Sequence, residues 1–170
     1  YTLTKGNPIF LPNLETGADE KIDNIVSYTF DDSVKVMAYV IGSNDSTKNG
    51  VYLRDMTTGA VRTVLAGPGN YRSFAFDDAQ THFVFASDRD QLGRDSAQVT
   101  SYRGSMRTGT AQPVLTPAQM PAGFRMPGSV SLNRSVTTLT FSLSLPPIPV
   151  VPAESLVGKA NFDLWHWQDP

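Results

Sequence analysis

Apolar and polar residues alternate along this chain in short runs, each closed by a turn-forming pair, and two such patterns recur. In the first pattern an aromatic residue or Leu precedes two polar turn residues and then an apolar strand. Phe30-Asp31-Asp32 leads into Lys35 to Val40, and Phe76-Asp77-Asp78 leads into Thr81 to Ala86. A worn third copy, Leu132-Asn133-Arg134, precedes Thr137 to Phe141. The second pattern is strand, Thr-Gly turn, strand, at Ile9 to Gly17, Val51 to Gly59 and Ser101 to Gly109. Successive copies lie 46 and then 56 residues apart for the first pattern, and 42 and then 50 apart for the second. Short strands repeating at that period predict the blades of a β-propeller or a related array.

Aligning the Thr-Gly turns puts Phe10, Tyr52 and Tyr102 in one column, Leu14, Met56 and Met106 in a second, and Asn13, Asp55 and Ser105 in a third. The aromatic column is expected to fill a layer between sheets. The small polar residue starts the turn, and the glycine takes the positive φ of a tight hairpin. One repeat unit is then two antiparallel hairpins, a four-stranded sheet. The expected fold is all-β, a run of four-stranded antiparallel blades from an incomplete propeller of about three to three and a half blades. Residues 1–26 form a half blade, 27–72 and 73–128 form full blades, and 129–170 form an incomplete one. A propeller closes with four to eight blades. The unclosed array therefore reads as a piece of a longer protein, with uncovered sheet faces that favour association.

Composition narrows the chemistry. With 40% hydrophobic residues among 170, the chain is long enough for a real core. Its 13 Gly and 12 Pro are spread as punctuation and not gathered in a linker. A net charge of −2, with 14 scattered basic residues, leaves no footprint for nucleic acid or an anionic membrane. Ser142 to Val151 is the most apolar stretch, and it is interrupted by Pro146, Pro147 and Pro149. No segment approaches the roughly 20 apolar residues of a membrane span. Absence of cysteine removes disulfides, thiolate metal sites and a cysteine nucleophile.

Candidate chemistry is sparse. The paired aspartates sit where turns are expected, and a turn is the preferred reading over an acid/base or metal site. The connection Ser87 to Ser96 holds Asp88, Asp90 and Asp95 but lacks the spacing and terminal Glu of a calcium loop, so it reads as a solvated loop like Ser43 to Gly50. Asp88, Arg89, Asp90 and Arg94 in that loop are candidate contacts for a substrate or partner. Trp165 and Trp167 are too, because strand alternation places them on one face. Packing against a neighbouring blade is the preferred role for both Trp residues. Pro146 to Pro152 reads as an extended strap. No phosphate loop, His-Glu-x-x-His or dinucleotide fingerprint occurs, and no cofactor or metal site is expected.

The segments Phe74 to Asp90 and Val51 to Gly59 resemble the repeat of TolB-type and WD40-like propellers, with Phe-Asp-Asp where that repeat usually has Ser-Pro-Asp-Gly. Asp163 to Pro170, with Ala66 to Tyr71 upstream, resembles the amino-terminal propeller of bacterial prolyl-oligopeptidase-type serine peptidases of the S9 family. That resemblance implies a carboxy-terminal α/β-hydrolase domain in the same parent chain, a peptide substrate, and a place outside the cytoplasm, periplasmic or secreted. It also implies that the propeller screens access to the active site. No catalytic residue carries over. The sequence has no Gly-x-Ser-x-Gly elbow, and its two histidines, His82 and His166, fall in expected strands. A TolB-like scaffold without a peptidase domain is the alternative, and a glycan-binding propeller a third possibility.

Overall fold

Eleven strands and three short 3-10 turns make up the regular structure of residues 3–94, 97–126, 130–132 and 138–146, the parts described in this computed structural model. The first sheet runs in chain order through β1 (Asn7–Pro12), β2 (Asp19–Phe30), β3 (Val36–Ile41), β4 (Gly50–Asp55) and β5 (Val61–Ala66). The second runs through β6 (Tyr71–Phe76), β7 (His82–Ser87), β8 (Thr100–Ser105) and β9 (Ala111–Leu115). Strands β10 (Val130–Leu132) and β11 (Leu139–Phe141) form a separate pair. Every pairing is antiparallel.

Turn chemistry repeats in the structure as it does in the sequence. The side-chain oxygen of Asn13 accepts from the amides of Glu15 and Thr16, and that of Asp55 from Thr57 and Thr58. Ser105 Oγ accepts from Arg107 N–H. Gly17, Gly59 and Gly109 close these hairpins at φ 70°, 74° and 67°, the left-handed region glycine enters without penalty. In the other turn class, Asp77 is buried, and Oδ1 accepts from the amides of Thr81 and His82 at 2.8 and 2.7 Å. Burial alone would raise its carboxyl. The His82 and Thr81 amides and the Thr81 hydroxyl outweigh burial and hold it below the ordinary value. Asp31 does the same for Val36 N–H. These aspartates build turns.

Strand β2 is twice as long as most of its neighbours because it serves two layers. Residues 25–30 pair with β3, whereas 19–25 pair with β1, and between them Asn24 takes a φ of 62°. Laid straight, Glu20 would lie about 33 Å from Phe30 at ~3.3 Å per residue. Phe30 pairs with Met37 and Met37 with Arg54, yet Arg54 forks onto both carboxylate oxygens of Glu20 at 2.6 Å. The β1–β2 hairpin therefore folds back over the face of β3 and β4. There Ile9, Leu11 and Ile22 cover Ile25, Met37 and Tyr39.

The resulting stack is hairpin, first sheet, second sheet and the β10–β11 pair. Between the sheets, Ala38, Val40, Val51, Leu53 and Val64 meet Tyr71, Phe83, Phe85 and Tyr102. Phe85 stacks on Tyr102 at 5.1 Å and Phe74 on Phe83 at 5.2 Å. Full burial of one such side chain stabilises by about 1.5–3 kcal/mol. Gly104 makes room for the ring of Phe83, since a Cβ there would lie 2.2 Å from Phe83 Cζ. Beyond the second sheet, Val84, Ala86 and Val99 pack with Met126 and Val130.

The aromatic column departs from expectation at one end. Tyr52 stacks on Tyr39 and Tyr102 is buried, but Phe10 is 61% exposed. It sits on the outer side of the hairpin, where no further layer lies among the described residues.

Candidate functional site

The loops Ser43 to Gly50 and Ser87 to Arg94 meet the linker Gly67 to Asn70 at one end of the stack. Their middles, Asn44 to Asp45 with Thr47 to Lys48 in one and Asp90 with Leu92 to Arg94 in the other, are exposed as expected of solvated loops, but their ends are not. Ser43, Asn49, Ser87 and Asp88 are all buried, because each loop satisfies the backbone of the linker that joins one sheet to the next. Asn49 Oδ1 accepts from Ser43 N–H at 2.7 Å, and Asn49 Nδ2 donates to Gly69 O at 3.4 Å. Asp88, 3% exposed, accepts from Asn70 N–H at 2.7 Å, from Asn70 Nδ2 at 3.0 Å and from Arg72 at 3.3 Å.

Arg89 crosses the seam between the sheets, donating to Ala66 O at 3.1 Å, and its backbone fills the space beside Gly69. Asp90 accepts from the hydroxyl of Tyr102 at 2.8 Å, and burial together with this bond pushes the Tyr102 phenol well above its ordinary value. Arg94 is exposed at the end of the loop. The structure thus brings Asp88, Arg89 and Asp90 together as a seam clasp and leaves Arg94 outward. Trp165 and Trp167, together with Asp95, His166 and the proline-rich segment from Pro147 onward, lie outside the described residues.

His82 opens β7 beside this turn chemistry. Its Nδ1 lies 2.9 Å from Thr81 Oγ1 and 3.8 Å from Asp77 Oδ2. Among the described residues no cluster of three His, Asp or Glu could hold a metal ion, and no helix is long and apolar enough to cross a membrane.

Besides a cavity of about 430 Å³ between the hairpin and the first sheet, lined by Glu20, Asn24, Tyr39 and Arg54 among others, two further cavities are of interest. One, of about 230 Å³, opens where β2 and β6 run side by side and is lined by Ser27, Tyr28, Thr29, Ser73 and Phe74. These strands are the first of their blades, and both ladders slip at this point, between Ile25 and Ser27 and between Arg72 and Ala75. Sequence reading passed over these residues, although a serine three places before the aromatic recurs as Ser27 and Ser73, and again as Ser129 before Leu132. The second cavity, of about 350 Å³, lies on the far face of the second sheet among His82, Arg103, Ser105, Thr108, Thr110 and Gln112.

No family model and no curated protein matches the sequence. Among solved structures the chain is similar to the β-propeller domain of the Trilobed protease from Pyrococcus furiosus, with TM-score 0.50 and 12% identity over 73% of this chain and 42% of that one. This chain is an incomplete β-propeller. It spans less than half the length of that propeller chain. A Pyrococcus horikoshii acylaminoacyl peptidase is also similar, with TM-score 0.47 and 14% identity over 85% of this chain and 24% of that one.

Proposed function

We propose that this chain is a non-catalytic segment of the propeller of a prolyl-oligopeptidase-type serine peptidase, shaping peptide access to an α/β-hydrolase domain elsewhere in the parent protein. The supporting observation is the stack itself. Strands β2 to β5 of the five-stranded sheet lie beside the four-stranded sheet β6 to β9, with β2 and β6 adjacent, as the first strands of two blades lining a common axis would be. The protease propeller it resembles in fold supports the same reading, as do the resemblances carried by Phe74 to Asp90 and Asp163 to Pro170. Blade boundaries near residues 26, 72 and 128 belong to this proposal.

In this reading the chain contributes a wall and no nucleophile. Asp88, Arg89 and Asp90 hold the Ser87 to Arg94 loop in place, and Arg94 with the Ser27 and Ser73 edge presents polar groups to passing peptide. The test is labelling of the parent protein with a fluorophosphonate probe that marks activated serines. A labelled serine downstream of Pro170, with cleavage of longer peptides rising when the exposed stretch 92–94 is shortened and the Arg89 and Asp90 contacts are kept, supports the proposal. Further blades with no labelled serine contradict it and leave a propeller scaffold.

A further inference from the structure

The faces that the two sheets turn towards the next layer can be compared position by position, because their ladders share one register. The β4–β5 ladder slips after Val51, and the β8–β9 ladder slips after Ser101. On the first sheet, Val36, Leu53 and Arg62 occupy the outer half of this face. On the second, the same positions hold His82, Arg103 and Gln112. Leu53 is sealed in the apolar seam, whereas Arg103 is exposed, with no hydrogen bond or ion pair to another side chain among the described residues.

The outer-strand position behaves differently as well. Glu20 in the hairpin takes Arg54 of the first sheet. Arg62, its counterpart, donates to Met106 O at 3.1 Å across the next seam. Gln112, the third in the series, lines the 350 Å³ cavity beside Arg103. Among the described residues, Met126 and Val130 pack on the Val84 and Ala86 half of this face. A guanidinium on a dry, sealed face would carry a large desolvation penalty. Here it stands among hydroxyls in an open cavity, with no acid in the lining.

We propose that this cavity is a binding site for a small organic acid, off the blade axis and independent of any hydrolase domain. Arg103 supplies the planar fork that matches a carboxylate, and Ser105, Thr108, Thr110 and Gln112 supply uncharged donors around it. One fixed cation suits a carboxylate better than a doubly charged phosphate.

The experiment is titration of succinate, and in parallel inorganic phosphate, into the isotopically labelled chain, following backbone amides by NMR. Succinate is expected to bind with a Kd on the order of 1 mM and to shift Ser105, Thr108 and Thr110. Arg103→Gln should weaken binding by about tenfold or more and Arg103→Lys by less, since Lys keeps the charge and loses the fork. Arg107→Gln, on the adjacent turn but outside the cavity lining, should bind as the unmodified chain does. Absence of succinate shifts, equal loss in Arg107→Gln, or tighter phosphate binding would overturn the proposal. So would indifference to succinate combined with a lower melting temperature in Arg103→Gln, which would assign Arg103 to a carboxylate of the protein itself.

Discussion

The seam between the two sheets and the Arg103 half of the far face of the second sheet are built on the same ladder and differ in burial among the described residues. Leu53 in the first is sealed against a layer of stacked rings, while Arg103 at the matching position of the second stands in an open cavity. Register, bulge and turns repeat between the two sheets. The side chains do differ, Val36, Leu53 and Arg62 on the first face against His82, Arg103 and Gln112 on the second. A repeat architecture fixes where faces lie, and the residues on them decide what they do.

The strongest challenge to that comparison is Leu53→Arg, which writes the second face onto the first. An unpaired guanidinium would then sit in a dry seam, and chemical denaturation should show a loss of more than about 4 kcal/mol or outright failure to fold. Gly104→Ala strikes the same seam from the other side by displacing the Phe83 ring, with an expected loss of about 1–3 kcal/mol in the same assay. Asp77→Asn removes a buried carboxylate that ties down two amides and a hydroxyl, for about 1–3 kcal/mol at neutral pH.

That substitution also carries a pH signature. The Asp77 carboxyl is held below its ordinary value in the folded state, so its stabilisation is complete above about pH 4 and fades as pH falls through the lower folded value. Denaturation curves between neutral and strongly acidic pH should therefore flatten in Asp77→Asn. Glu20→Gln loosens the hairpin over the first sheet. Its carboxylate is half exposed, so the expected loss is only about 0.5–1 kcal/mol, shrinking further in high salt. Arg103→Leu, the reverse exchange, should change monomer stability by less than about 0.5 kcal/mol. Its visible effect should be increased self-association by sedimentation, as the face becomes apolar.

Much of the fold was legible because its signals are local. Asn13, Asp55 and Ser105 bind amides two or three residues ahead, and Asp31 and Asp77 bind amides four or five ahead, so each turn is written in a few adjacent residues. What was missed depends on distant partners. Asp88 looks like a loop residue until Asn70 and Arg72, 18 and 16 positions away, are brought to it. The bend that lets one strand serve two layers rests on Asn24, an unremarkable residue in a polar run. The Arg103 cavity needs three strands in register before its lining converges. Phe10 matched its column in sequence and not in burial, because burial depends on a layer outside the hairpin.

The most direct test of the stacked-blade account is a nuclear Overhauser spectrum of the intact chain. It should connect the rings of Phe83 and Phe85 to the methyl groups of Val40, Val51 and Leu53, and Ile22 to the ring of Tyr39. Both sets together would establish the hairpin, first sheet and second sheet as successive layers. Sharp, native-like spectra lacking the contacts between the sheets would contradict the account.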